Sequence, residues 1–126
     1  MRRIQIIIGE IKLIAELFDT ETAHKIWQAL PIKSKINTWG EEIYFPIPVS
    51  LSCEKDAREI VEKGELGYWP EGSAFCIFFG PTPISKTDEI RAASAVNIFG
   101  RIKEGDLSNL KRISSGEIIE VKQFVK

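Results

Sequence analysis

Apolar and polar residues alternate at the start of the chain, and this alternation predicts a β-hairpin. Residues 2–8 are largely apolar and β-branched, Gly9-Glu10 interrupts them, and residues 11–18 resume with an apolar side chain at every second position. A period of two is typical of a strand that buries one face and exposes the other. The hairpin is therefore expected to form the first two strands of a sheet.

The apolar spacing changes to that of a helix over residues 21–30. Asp19-Thr20 supply N-cap chemistry before this segment, and Pro31 ends it. Its apolar positions are Ala23, Ile26, Trp27 and Leu30. Because residues at this spacing lie along one side of a helix, they predict a short amphipathic helix that covers an open end of the sheet. His24, the single histidine, lies off this stripe and is expected to face solvent.

Short extended segments dominate the rest of the chain. Strands are predicted at 34–39, 42–47, 65–69, 74–79, 94–102 and 117–124. Helical turns are predicted within 56–63 and 106–112, and residues 80–94 read as a polar loop with a turn of helix near 88–92. Since strands and helices do not alternate in a βαβ rhythm, we predict a mainly β protein of one domain, residues 1–126. The expected architecture is a closed, eight-stranded antiparallel barrel with two short helices.

Composition narrows the range of partners. The chain has 126 residues, is 44% hydrophobic and carries a net charge of −1, with no dense cluster of cations. Nucleic-acid backbones are bound through clustered Lys and Arg, so a nucleic-acid partner is not expected. No apolar stretch reaches the length of a membrane span, and the N-terminus lacks a signal peptide, so we expect no membrane partner and a cytosolic location. A charged content of 28% with one Met resembles thermophile proteins.

Metal and cofactor chemistry are not predicted. Cys53 and Cys76 stand alone without a zinc-ligand spacing, and one histidine leaves a metal site short of ligands. Cys76 lies in the apolar run 75–79, where a free cysteine usually behaves as a small hydrophobe. No glycine-rich phosphate loop and no nucleophile elbow occur in the sequence.

Four motifs, in order, resemble the short prokaryotic cyclophilin-like proteins. They are Asn-Thr-Trp-Gly-Glu-Glu-Ile-Tyr-Phe at 37–45, Gly-Tyr-Trp-Pro at 67–70, Phe-Phe-Gly at 78–80 followed by Thr82-Pro83, and Ala-Ser-Ala-Val-Asn at 93–97. The resemblance extends over nearly the whole chain. It implies the eight-stranded barrel with two capping helices that peptidyl-prolyl isomerases share. It implies no settled activity, because function resides in sites carried by a fold.

The chain departs from the catalytic members of that fold. Catalytic cyclophilins use an arginine in a Phe-His-Arg context together with a Gln-Gly-Gly segment, and neither occurs here. Proline isomerisation needs an electrostatic donor directed at the prolyl nitrogen inside an apolar slot. Nothing in the sequence places Arg91 or Arg101 in such a position. Proline isomerase activity is therefore the less favoured interpretation.

The segment Trp39–Phe45 contains the best candidates for a binding site. On a continuous strand, Glu41 and Glu42 point to opposite faces, with Trp39 beside Glu41 and Tyr44 beside Glu42, unless a bulge at Gly40 resets the register. One carboxylate is then expected next to apolar neighbours, which perturbs a pKa. The alternative for this carboxylate is a structural hydrogen bond. Trp39, Glu42 and Tyr44 are predicted to bind a ligand.

Four further residues complete the predicted ligand-binding set: Tyr68, Phe79, Arg91 and Asn97. Tyr68 adds aromatic surface, and Phe79 precedes the stiff loop Gly80–Pro83, of a kind that often carries binding. Arg91 follows that loop, and Asn97 either satisfies backbone groups or points into a pocket. The predicted ligand is a small molecule or short peptide. The alternatives are a weak isomerase or another enzyme that uses Glu42 and Tyr44, and an interaction module whose aromatics form a homo-oligomer contact.

Overall fold

Strands are the main regular structure of residues 2–125, which the computed structural model describes. They are β1 (Arg3–Ile8), β2 (Ile11–Leu17), β3 (Ile32–Lys35), β4 (Asn37–Thr38), β5 (Glu42–Pro46), β6 (Arg58–Val61), β7 (Glu65–Trp69), β8 (Ala74–Phe78), β9 (Ile90–Glu104) and β10 (Ile118–Phe124). One α-helix, α1, spans Glu21–Ala29, and 3₁₀ segments span Pro70–Gly72 and Leu107–Arg112. The predictions of a mainly β fold and of a helical turn near 106–112 are confirmed.

The sheet is antiparallel throughout, with the strand order β3-β10-β1-β2-β9-β7-β8-β5-β4 and with β6 added to β9. Its two end strands, β3 and β4, follow each other along the chain with only Ile36 between them. Within residues 2–125, no ladder of backbone hydrogen bonds joins β3 to β4. The described residues therefore form ten strands rather than the predicted eight, and hydrogen bonds do not close the sheet into the predicted barrel.

Strand β6 occupies a segment for which a helical turn was predicted. That prediction was wrong, because the segment is a strand. Arg58–Ile60 is exposed and therefore lacks the apolar alternation that identifies a half-buried strand. Pairing with β9 supplies its backbone partners instead. The same pairing extends β9 back to Ile90, into the predicted polar loop. An exposed edge strand of this kind depends on its neighbour rather than on its own sequence.

Helix α1 packs on the core as the apolar stripe predicts. The Thr20 side chain caps it by accepting a hydrogen bond from the Ala23 N–H at 3.1 Å. Ala23 and Ile26 are buried, whereas Trp27 is partly exposed at the edge of the core. His24 is exposed, as expected. In the part of the chain described, no helix is long and apolar enough to cross a membrane.

Strand β8 is buried on both faces. Phe75 and Ile77 belong to the main core, which the sheet and α1 enclose. The alternate residues Ala74, Cys76 and Phe78 point the other way. There they form a second, smaller apolar cluster with Val61 of β6 and Ala92 and Val96 of β9. The first part of β9 therefore packs on the outer face of the sheet and covers β8 there.

Candidate functional site

The β4–β5 hairpin turns at Gly40-Glu41. The Trp39 N–H donates to the Glu42 carbonyl at 2.9 Å, and the Glu42 N–H donates to the Trp39 carbonyl at 3.2 Å. Gly40 has a φ of +61°, as two-residue hairpin turns require, and a Cβ there would lie 2.9 Å from the Pro81 carbonyl oxygen. Because Trp39 and Glu42 oppose each other in this hairpin, their side chains share a face. The expectation that Trp39 lies beside Glu41, which assumed a continuous strand, was wrong.

A pocket of about 180 Å³ opens on that face. Strands β5, β7 and β9 and the hairpin turn supply its lining, which consists of Trp39, Glu42, Tyr44, Trp69, Ala92, Ala93 and Val96. Three of these residues are aromatic and three are small aliphatic residues. Glu42 is the one carboxylic acid among them. An apolar cavity with few polar groups is typical of small-molecule sites.

Burial controls the acidity of Glu42. The residue is 6% exposed, and burial raises the pKa of its carboxyl from 4.5 to about 7. The Cys76 thiol on β8 opposes this rise with a weak side-chain hydrogen bond. Within residues 2–125 no nitrogen or oxygen donor bonds to the carboxyl, and no Lys, Arg or His lines the pocket. Glu42 therefore keeps hydrogen-bonding capacity directed at the pocket and changes charge near neutral pH.

The pKa of the Cys76 thiol is shifted as well. Burial, followed by the charge and the hydrogen bond of Glu42, raises the pKa of Cys76 well above its ordinary value. A cysteine in this state remains a neutral thiol at neutral pH and is a poor nucleophile. The structural role predicted for Cys76 fits its position in the second cluster.

Trp69 is held in place on the opposite wall of the pocket. Its indole Nε1–H donates to the Ser94 hydroxyl at 2.6 Å, and that hydroxyl donates to the Glu71 carboxylate at 2.7 Å. The ring also packs against Gly72, where an added Cβ would lie 2.7 Å from Cε3 of the indole. A hydrogen bond at one edge and backbone packing at the other fix the orientation of the ring, so this wall is already formed.

Tyr68 and Phe79, predicted to bind ligand, lie away from this pocket. Tyr68 is fully buried in the main core, where its hydroxyl donates to the Val49 carbonyl at 2.6 Å and accepts from the Leu51 N–H at 3.2 Å. Phe79 packs in the same core and borders a separate depression next to Glu41. Tyr68 neighbours Trp69 in sequence, but alternation along β7 sends the two side chains to opposite faces.

Arg91 and Asn97 are also engaged elsewhere. The Arg91 guanidinium forms ion pairs with Glu89 at 2.8 Å and Glu59 at 3.3 Å. Asn97 is 1% exposed, and its amide binds three partners. Its Oδ1 accepts from the Glu54 N–H at 2.8 Å, while Nδ2 donates to the Ser52 carbonyl at 3.0 Å and the Thr22 hydroxyl at 3.1 Å. Asn97 therefore satisfies backbone groups, which is the first of its two alternatives, and it also borders a separate depression beside Glu54 and Arg58.

The predicted ligand-binding set omits four lining residues: Trp69, Ala92, Ala93 and Val96. The sequence contained a usable signal for Trp69, since this aromatic residue lies two positions after Gly67 on a strand and next to a loop. The two alanines and the valine carried none, because short apolar residues in an apolar run are equally consistent with a core. Among the residues described, no group of three or more His, Cys, Asp or Glu side chains could hold a metal ion.

Sequence and structure comparisons agree with this architecture. The sequence model of the cyclophilin-like family matches residues 2–122. The chain belongs to the cyclophilin-like family. This cyclophilin-like chain is similar in structure to a hypothetical protein from Archaeoglobus fulgidus solved in solution, with a TM-score of 0.83 and 42% sequence identity. The match covers 98% of this chain and 95% of that chain. No curated protein matches the sequence. The family resemblance inferred from the four motifs is confirmed.

Proposed function

We propose that this protein binds a small molecule or one side chain of a short peptide in the Trp39–Glu42–Tyr44 pocket. The buried Glu42 carboxyl, which no nitrogen or oxygen donor among residues 2–125 satisfies, is the observation that carries the proposal. Removal of the carboxyl from bulk water raises its pKa, so that its ionised form costs the folded state free energy. A ligand that supplies a positive charge or a hydrogen-bond donor would recover part of this free energy. Proteins commonly retain such a cost at binding sites.

The size of the pocket limits the ligand. Its volume is about 180 Å³. Drug-sized ligands usually occupy cavities of about 300–1,000 Å³. The pocket therefore accepts a compact group, and any larger ligand would extend out past Trp39 and Trp69. The rigid Trp69 ring and the hairpin turn lower the cost of ordering the site on binding.

No feature of the pocket favours proline isomerisation. Its lining contains no arginine that could polarise a prolyl amide. Arg91 is paired with Glu89 and Glu59, and Arg101 is paired with Glu62 at 3.1 Å. A polar donor inside the apolar slot is what that reaction requires. We therefore propose binding rather than isomerisation as the function of this site.

Protein-observed NMR with a small fragment library tests the proposal. The library contains neutral aromatics, amines, carboxylates and dipeptides with and without proline. We expect binders to shift the indole N–H signals of Trp39 and Trp69 while leaving that of Trp27, on α1 outside the pocket, unchanged. Glu42→Gln should alter the selection of fragments. Glu41→Gln, which changes the neighbouring acid outside the pocket, should not.

Two results would contradict the proposal. The first is a library in which no fragment shifts the Trp39 or Trp69 indoles. The second is a dimer, detected by light scattering, in which those two indoles are also protected from solvent. The second result would support the homo-oligomer contact predicted from the sequence. This experiment does not test the predictions of a single domain and a cytosolic location.

A further inference from the structure

Among residues 2–125, the lining of the pocket combines one acid with three aromatic side chains and includes no cationic side chain. Its aromatic residues are Trp39, Tyr44 and Trp69, and the rest of the lining apart from Glu42 is alanine and valine. An ionised carboxylate in such a place attracts positive charge strongly, because little water screens it. The faces of Trp and Tyr rings carry negative electrostatic potential and attract cations as well. The ionised Glu42 carboxylate and the faces of the aromatic rings thus favour the same sign of ligand charge.

We propose that the ligand group bound in this pocket is an alkylated ammonium cation, held between the aromatic walls and the Glu42 carboxylate. This inference rests on the proposed binding function and specifies the chemical class of its ligand. Aromatic side chains combined with an acid are a recognised way to bind ammonium groups whose charge is spread over methyl substituents.

The same surroundings argue against other ligands. A divalent metal ion needs several oxygen ligands, and the pocket offers one carboxylate. An anion would be repelled by Glu42 in its ionised form, which dominates above about pH 7. A primary ammonium group carries three N–H donors, for which the lining supplies only the Glu42 carboxyl and the Tyr44 hydroxyl as side-chain acceptors. Alkyl substituents remove those donors and match the apolar walls, so an alkylated ammonium fits better than a primary amine.

Binding of a cation should be coupled to proton release. The pKa of Glu42 is about 7, and the cation binds the ionised form, so affinity should rise with pH through neutrality and level off above it. The other titratable groups near Glu42 are the Cys76 thiol from β8 and the Tyr44 phenol from its own strand. The lining residues from β7 and β9 and from the hairpin turn carry no further titratable group. Glu42 therefore accounts for the expected pH dependence.

A matched pair of probes separates charge from shape. Choline carries a trimethylammonium group, and its carbon analogue, the neutral alcohol with a tert-butyl group in that place, has nearly the same shape. Each is titrated into the full-length protein near pH 8 and near pH 5.5 at constant ionic strength, with the Trp39 and Trp69 indole signals as the readout. Near pH 8 we expect choline to bind roughly tenfold more tightly than the alcohol. Near pH 5.5, where Glu42 is protonated, this preference should fall to the smaller one that the aromatic ring faces alone supply.

Variants assign the preference to named groups. Glu42→Gln should abolish the pH dependence and reduce the preference for choline to the value that the wild type shows near pH 5.5, whereas Glu41→Gln should retain both. Tyr44→Phe keeps the aromatic face and should bind choline within about twofold of the wild type, while Trp69→Leu removes a wall and should weaken it about fivefold or more. The fold of each variant is checked by its NMR spectrum before titration.

The possible outcomes distinguish this inference from the proposed function. If the neutral alcohol binds the pocket as tightly as choline near pH 8, the inference is wrong and the proposed binding function stands. The same conclusion follows if fragments of another class bind there and choline does not. If no probe or fragment shifts the Trp39 and Trp69 indoles, both proposals are wrong. A preference for choline near pH 8 that is undiminished in Glu42→Gln would refute the role assigned to the carboxylate.

Discussion

Replacing Glu42 by glutamine should change the pH dependence of stability in a predictable direction. The folded protein raises the pKa of this carboxyl from an ordinary value of 4.5 to about 7 because the side chain is buried. Between these two pH values the folded state holds a proton that the unfolded state releases. The stabilising contribution of the protonated carboxyl is therefore complete below about pH 4.5 and is lost as the pH rises through 7.

The size of the effect follows from the two pKa values. They differ by about 2.5, and each unit corresponds to 1.36 kcal/mol, so ionisation of Glu42 costs the folded state about 3 kcal/mol above neutral pH. Glutamine has nearly the same shape and no charge at any pH. Glu42→Gln should therefore leave stability nearly unchanged near pH 4.5. Near pH 8.5 the variant should be about 3 kcal/mol more stable than the wild type.

Urea unfolding at a series of pH values between 4.5 and 8.5 measures this difference directly. With a typical urea m-value of about 1–3 kcal/mol/M, the midpoint near pH 8.5 should increase by about 1–3 M. Glu41→Gln serves as the control, since it changes the adjacent carboxylate outside the pocket. A free-energy difference between wild type and Glu42→Gln that stays constant with pH would refute the reasoning. A variant that is less stable at every pH would assign Glu42 to the scaffold.

Two further predictions concern the residues that the structure places outside the pocket. Tyr68→Phe removes the hydroxyl that binds Val49 and Leu51 and should cost about 1–3 kcal/mol in urea unfolding, without changing any ligand affinity measured at the Trp39 and Trp69 indoles. The protein should not accelerate cis/trans exchange of a proline tetrapeptide, which takes tens to hundreds of seconds uncatalysed. A clear acceleration lost in Arg91→Ala would contradict that expectation.

Local sequence patterns determined most of the strands and the helix. The alternation in residues 2–18 predicts β1 and β2 because one face of that hairpin meets the core and the other is more exposed. The helical spacing and the Thr20 cap predict α1 for a similar reason. Such patterns depend on neighbours within a few residues, which the sequence displays directly. They fail at Arg58–Val61, an exposed edge strand whose partner is remote in sequence.

The candidate site could be predicted only in part. Glu42 and Tyr44 lie two positions apart on β5, so strand geometry alone places their side chains on one face. Trp39 joins them because Gly40 adopts a positive φ and folds the chain into a two-residue turn. Gly40 is visible in the sequence and indicates that the register could change there. Only the hydrogen bonds between Trp39 and Glu42 in the structure establish which register forms.

Tertiary structure alone decided which aromatic and polar residues reach the pocket. The alternation along β7 separates Tyr68 from Trp69, but it does not state which of the two faces the main core, because both faces of this part of the sheet are covered. Ala92, Ala93 and Val96 line the pocket because the first part of β9 pairs with β6 and packs on the outer face of the sheet. This placement depends on pairing between residues about thirty positions apart. Loop closure and packing of the whole sheet determine such contacts, and periodicity over a few residues carries no record of them.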